Sequence, residues 1–179
     1  MFTNRSVREY IEKMAGTTFP SPKGGSALAI TGAMGAALIK MCCQVSAKRN
    51  PGGPGETRYR ELREQAEALM DRFLFLADRD TEVVEEMIQA LRLAKGKTPE
   101  QCSTLQDSYQ AAAQALVEIK NSLQELTELA EKLRPLCATS CVIDLYIVRH
   151  LARAAMEATA ESVLDNGLMP QKSGCPLTT

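Results

Sequence analysis

Two carboxylates stand where apolar side chains belong. Asp80 occupies a seam position between Leu76 and Val83, and Asp144 lies within the apolar run Cys141–Val148, with no further charge until Arg149. Burying a lone carboxylate costs several kcal/mol unless it is paired, hydrogen-bonded or protonated. One reading makes each of them half of a buried ion pair with an arginine such as Arg149 or Arg153. The other makes them environment-tuned carboxyls able to bind or shuttle protons. Asp78, a helical face away from Asp80, reads as solvated. The turn Gly24-Gly25-Ser26 would present backbone N–H groups at a helix N-terminus, a natural place for an anionic ligand group or an oxyanion. His150, the single histidine, sits in an apolar and basic stretch and reads as packed or capped rather than catalytic.

Composition narrows the chemistry. A net charge of −1 gives no global attraction to nucleic acid or to an anionic membrane. With aromatics at 4% and no tryptophan, base-stacking platforms are also absent. Six cysteines without a secretory signal read as reduced thiols of a cytoplasmic protein. One histidine and no C-x-x-C pair leave no zinc motif, so no metal is expected and the cysteines read as small buried residues.

The elements that must position these groups are helices. Ser6-Val7-Arg8-Glu9 has the form of a capping box, and Val7, Tyr10, Ile11 and Met14 follow with amphipathic spacing. Residues 16–25 form a turn, and a Gly/Ala-rich helix then runs to about Arg49. Its uncharged stretch, between Lys23 and Lys40, is 16 residues with four glycines. A membrane span wants about 20 predominantly apolar residues, so this reads as a buried helix whose backbone is closely approached. "NPGGPG", residues 50–55, is an exposed loop. Helical seams follow over 56–95 and from Leu105 to Leu133, Pro135 ends the latter, and a last helix spans Thr139 to about Leu164. The expectation is one all-α domain, an antiparallel bundle of about five long helices, with residues 167–179 as a flexible tail. Seams this long are rods of roughly 50 Å. Together with the small-x-x-x-small pairs Thr31/Gly35, Gly32/Ala36 and Ala33/Ala37, they favour a homodimer over a compact monomer.

These residues add up to a resemblance. Pro20-Ser21-Pro22-Lys23-Gly24-Gly25-Ser26 resembles the P-x-P-G-G-G-S opening of the formiminotetrahydrofolate cyclodeaminase and methenyltetrahydrofolate cyclohydrolase family. Asp78 to Gly96 resembles that family's D-x-D segment ending in R-L-P-K, with Asp80 on the second acid, Arg92-Leu93 on R-L and Lys95 on the lysine. Leu151 to Asn166 resembles the family's L-A-R-A-A-L-E-G-A ending with its asparagine pair, and Asp144 matches an aspartate upstream of it. The resemblance implies an all-helical, dimeric, cytoplasmic enzyme of folate one-carbon metabolism that needs no metal or redox cofactor. It places catalysis on Asp80 and Asp144, and substrate binding on Gly24, Gly25, Ser26, Arg92, Lys95 and Asn166.

The chain departs from the family pattern at several positions. Lys23 replaces the first glycine of the triplet; one reading makes it a new cation for the glutamate tail of a folate, the others a drift in substrate contacts or a relative put to a different use. Ala94 replaces a proline, Ile143 a serine and Ser162 an asparagine, while Ala138 and Ser140 fall where the family has N-P-N. Three functions follow: a tetrahydrofolate cyclohydrolase or cyclodeaminase, a same-fold enzyme for another ring-opening or ring-closing substrate, or a non-catalytic helical dimer that binds a ligand or protein.

Overall fold

In a computed structural model of the protein, residues 1–53, 55–94 and 98–172 are described, without the side chains of 165–172. These residues form five α-helices and no strand: α1 (Val7–Ala15), α2 (Gly24–Arg49), α3 (Glu56–Leu93), α4 (Pro99–Leu133) and α5 (Val142–Lys172). Two short 3-10 turns, Arg134–Leu136 and Thr139–Cys141, join α4 to α5. Helices α2–α5 are long and pack on one another as a bundle. The first helix has only nine residues and flanks it. The last helix passes the Leu164 boundary that the sequence suggests and takes in residues 167–172 of the expected tail. Residues 173–179 lie outside the described part.

Local signals explain the boundaries. The Ser6–Glu9 capping box is formed in both directions. Thr98 and Gln101 make a second one at α4, with Pro99 in the first turn, where its missing N–H costs nothing. After α2 the chain turns through Gly52 at φ +68°, a conformation that favours glycine.

The small-residue helix is central. By length and composition α2 could cross a membrane, yet α3, α4 and α5 all pack on it. Gly32 lies against the ring of Phe73, and Gly35 against Leu126 and Val148. Gly32, Gly35 and Ala36 therefore form a close-packed seam within one chain, whereas Thr31, Ala33 and Ala37 of the same pattern border an open groove. The main core runs from Ala29 and Ile39 through Phe73 and Leu76 to Leu123 and Val148. Beyond Ala77, α3 and α4 continue as a hairpin with smaller clusters of their own: Val83 with Ala112 and Ala115, then Ala90 and Ala94 with Cys102, Leu105 and Tyr109. Asp80 lies where the main core stops.

A Cβ on Gly32 would lie 2.4 Å from Phe73 Cε1, and the Phe73 ring is fully buried. Gly32→Leu should therefore cost about 1–3 kcal/mol or more in urea unfolding, as overpacking does. Gly24 has nothing within 4 Å of its added Cβ, so Gly24→Ala should stay within about 0.5 kcal/mol of the parent. Equal unfolding midpoints for the two variants would show that the Phe73 contact imposes no constraint.

Candidate active site

Asp80 caps α2 from a different helix. Lys23, at the N-cap position, offers no side-chain hydrogen bond to the first turn. Instead the Ser26 N–H donates to Asp80 Oδ2 at 2.7 Å. Gly25 makes this approach possible, because a Cβ there would sit 2.0 Å from Asp80 Oδ1. Asp80 is 3% exposed. Its burial disfavours the charged form and pushes the pKa up to about 6, against a smaller opposing effect of the Ser26 N–H. Among the described residues no cation forms an ion pair with it, so the Arg149 or Arg153 pairing does not occur. Arg149 lies over the Tyr146 ring and Arg153 pairs with Glu157. Asp80 is thus a carboxyl with one oxygen fixed and a proton equilibrium near neutrality, the range that suits a general base.

Tyr10 extends this contact. Its hydroxyl meets Ser26 Oγ at 2.5 Å in the interior. Burial raises the Tyr10 pKa, the Ser26 hydrogen bond opposes that, and the charges of Asp80 and Asp78 add to it. The phenol therefore keeps its proton at neutral pH. Asp78, expected in solvent, is 6% exposed. It accepts hydrogen bonds from the N–H groups of Phe2 and Thr3 and from the Thr3 hydroxyl. The solvated reading fails because the N-terminal arm folds over that face of α3, which no local pattern in the sequence records.

Beside these groups runs an apolar groove of about 480 Å³. Tyr10 and Ala27 are part of its wall, with Ile11, Met34 and Leu74. Arg5 lines it too and supplies a cation. Its size falls within the range of about 300–1,000 Å³ common for small-molecule sites.

The expected site residues divide. Gly25, Ser26 and Asp80 come together, with Gly24 at the exposed start of α2. Lys23 turns to the preceding loop: its amine donates to the Gly16 carbonyl at 3.0 Å and lies over the Phe19 ring. Arg92 is exposed in the last turn of α3, about 18 Å along the helix from Asp80 at 1.5 Å per residue. Lys95 and the Asn166 side chain lie outside the described residues. His150 is exposed. Asp144 is half-buried in the first turn of α5, close to Cys42 and Cys141. Cys42 is about 24 Å along α2 from Ser26, so the structure does not bring Asp144 to Asp80. Tyr10, Thr3, Asp78 and Arg5 escaped the sequence reading. Tyr10 carried a signal, a polar tip within an apolar stripe, and Asp78 is the first acid of the D-x-D segment; Thr3 and Arg5 carried none.

Known proteins resemble this chain over most of its length. A family model described as formiminotransferase-cyclodeaminase matches residues 6–170. A methenyltetrahydrofolate cyclohydrolase of Methylorubrum extorquens is 24% identical over 169 residues, which cover 93% of this chain and 81% of that protein. The crystal structure of a formiminotetrahydrofolate cyclodeaminase from Thermotoga maritima superposes with a TM-score of 0.82 at 23% identity, covering 93% of this chain and 80% of that one. That likeness extends the all-helical fold to a solved structure.

The raised pKa of Asp80 has a sign that can be measured. The unfolded chain ionises near 3.8 and the folded one at about 6. Below about pH 4 both states hold the proton; between about 4 and 6 only the folded state does, so stability falls as pH rises. The total fall is on the order of 2–3 kcal/mol, complete above about pH 6. Asp80→Asn should remove that decline, seen as a difference between urea-unfolding curves across this window. A pH-independent difference between variant and parent would overturn the assignment.

Proposed function

The chain belongs to the formiminotransferase-cyclodeaminase family, and from that premise we propose that it acts on folate one-carbon derivatives. It hydrolyses 5,10-methenyltetrahydrofolate, or forms it from formiminotetrahydrofolate with loss of ammonia. The observation that carries this reading is the buried Asp80 carboxyl, fixed by the Ser26 N–H, with Ser26 joined through its hydroxyl to Tyr10 in the wall of an apolar groove. The names of the cyclohydrolase and cyclodeaminase relatives support the substrate class.

The methenyl carbon is bonded to two nitrogens that share a positive charge, so it is already electrophilic. In hydrolysis a water oxygen bonds to that carbon while Asp80 accepts one water proton, giving a tetrahedral adduct. The carbon–ring-nitrogen bond then breaks as that nitrogen takes a proton. The remaining hydroxyl proton leaves as the formyl C=O forms, and one proton is released overall. Cyclisation uses the same centre. The second nitrogen attacks the formimino carbon, Asp80 takes its proton, and a proton returned to the departing nitrogen lets ammonia leave. A carboxylate beside the cationic ring also orients it. The apolar groove holds a flat pterin, and Arg5 at its edge is the cation placed to meet a ligand carboxylate. Neither reaction calls on a metal or redox group. Val7, Ile11 and Met34 remain exposed along the groove; in this reading a second copy covers them, and the working form is a homodimer.

Asp80→Asn keeps size and hydrogen-bonding capacity but cannot accept a proton. It should lower turnover of methenyltetrahydrofolate, followed by decay of its absorbance, or of formiminotetrahydrofolate, followed by ammonia release, by roughly 10²–10⁴-fold. Stability at neutral pH should hold or rise. A variant that loses stability yet keeps its turnover per folded molecule would make Asp80 a structural cap and refute the proposal. Protein that shifts or protects the methenyl absorbance without accelerating its decay would point to a binding module.

A further inference from the structure

At the other end of α2, far from the Asp80 contact, three potential metal ligands converge. Cys42 Sγ, Cys141 Sγ and a carboxylate oxygen of Asp144 all lie within 4.8 Å of one another. Cys42 comes from the C-terminal third of α2, Cys141 from the 3-10 turn that precedes α5, and Asp144 from the first turn of α5. Both thiols are buried, and Asp144 is partly exposed. The Cys42 thiol donates to the Cys141 carbonyl at 3.7 Å, so the two elements already meet. A fourth thiol lies in the same connection: Cys137, half-buried, whose Sγ donates to the Ala138 carbonyl at 3.6 Å. Ser46, one turn along α2 from Cys42, accepts the Ala138 N–H at 2.9 Å.

We propose that Cys42, Cys141, Asp144 and Cys137 form a site for a zinc-class divalent cation. The proposal is independent of the folate reading. Three sulfurs and one oxygen are the donor set of a borderline-soft, tetrahedral ion. Ligand atoms around such an ion stand about 3.8 Å apart, given zinc–sulfur bonds of about 2.3 Å. For Cys42, Cys141 and Asp144 the present spacing needs a contraction of at most about 1 Å, and Cys137, outside that cluster, would turn in from the Ala138 carbonyl by side-chain rotation. Each coordinating thiol gives up its proton to solvent on binding. The N-terminus of α5 favours the anionic ligands that result, and partly exposed Asp144 and Cys137 leave a route from solvent. Sequence spacing conceals the set, because Cys42 and Cys141 are 99 residues apart. The ion would tie α2 to the α4–α5 connection, a structural role at a distance from the groove.

Cobalt(II) is the probe. The full chain, reduced and stripped with a chelator, should take up one cobalt per molecule. Binding should show as a thiolate-to-cobalt charge-transfer band with the intense visible bands of a tetrahedral ion, and zinc should abolish both. Asp144→Asn, at a partly exposed position, should keep the helical circular dichroism and weaken cobalt binding at least tenfold. Cys42→Ser should lower the charge-transfer intensity by about a third, since one of three thiolates is lost. Absence of the charge-transfer band in the parent, or a band of unchanged intensity and affinity in both variants, would overturn the site.

Discussion

The approach of Asp80 to the start of α2 sets the rest of the molecule. A carboxylate from the middle of α3 replaces the side-chain cap that Lys23 does not give, and it fits only because Gly25 has no Cβ. That contact fixes where α2 begins along α3. The helix then runs on with Gly32 under Phe73 and Gly35 under Leu126, so the small residues follow from one requirement, close backbone approach along a single face. The carboxylate gains a helix N-terminus and an N–H donor, and loses water. Desolvation is the larger effect, and the pKa rises. One contact thus decides register, core boundary and proton affinity together.

Asp78 and Asp80 show how two acids two residues apart acquire different work. On a helix they point to different faces, and both faces of α3 are covered. Asp80 meets α2, whereas Asp78 meets the N-terminal arm and accepts three hydrogen bonds from Phe2 and Thr3. The arm in turn places Tyr10, whose hydroxyl reaches Ser26. Asp78 accepts three donors, whereas among the described residues Asp80 accepts one N–H, on Oδ2. For Asp80 one donor does not offset the loss of water, and its pKa rises toward neutrality.

Helix order and most boundaries were legible because their causes are local: the Ser6–Glu9 capping box, the glycine and proline breaks, and apolar residues at helical spacing. Asp80 was legible because a charge interrupts a seam. What the pattern could not show is which face meets what. The solvated reading of Asp78 failed through a contact 75 residues away in sequence. Asp144 looked equivalent to Asp80 in an apolar run, yet its neighbours in space are cysteines at the opposite end of α2. Six reduced thiols were expected, but Cys102 is disulfide-bonded. Periodicity assigns a residue to a face; it does not say where along rods of roughly 40–60 Å they touch.

The departures from the family pattern divide by the same physics. Lys23 stands where the resemblance puts a glycine, but its backbone is extended, at φ −129°, which any residue adopts. Its side chain is spent on the Gly16 carbonyl and the Phe19 ring, clear of Asp80. Gly24 likewise has open space around it. Of the glycines in this turn only Gly25 is sterically required, and it is retained. Ile143, in place of a serine, is 63% exposed and takes no part in the core, while Ala94 fills the small cluster at the end of the α3–α4 hairpin. These substitutions fall where the backbone or the packing is permissive. The carboxylate, the N–H that holds it and the missing Cβ that admits it form one steric and electrostatic unit, and all three are present.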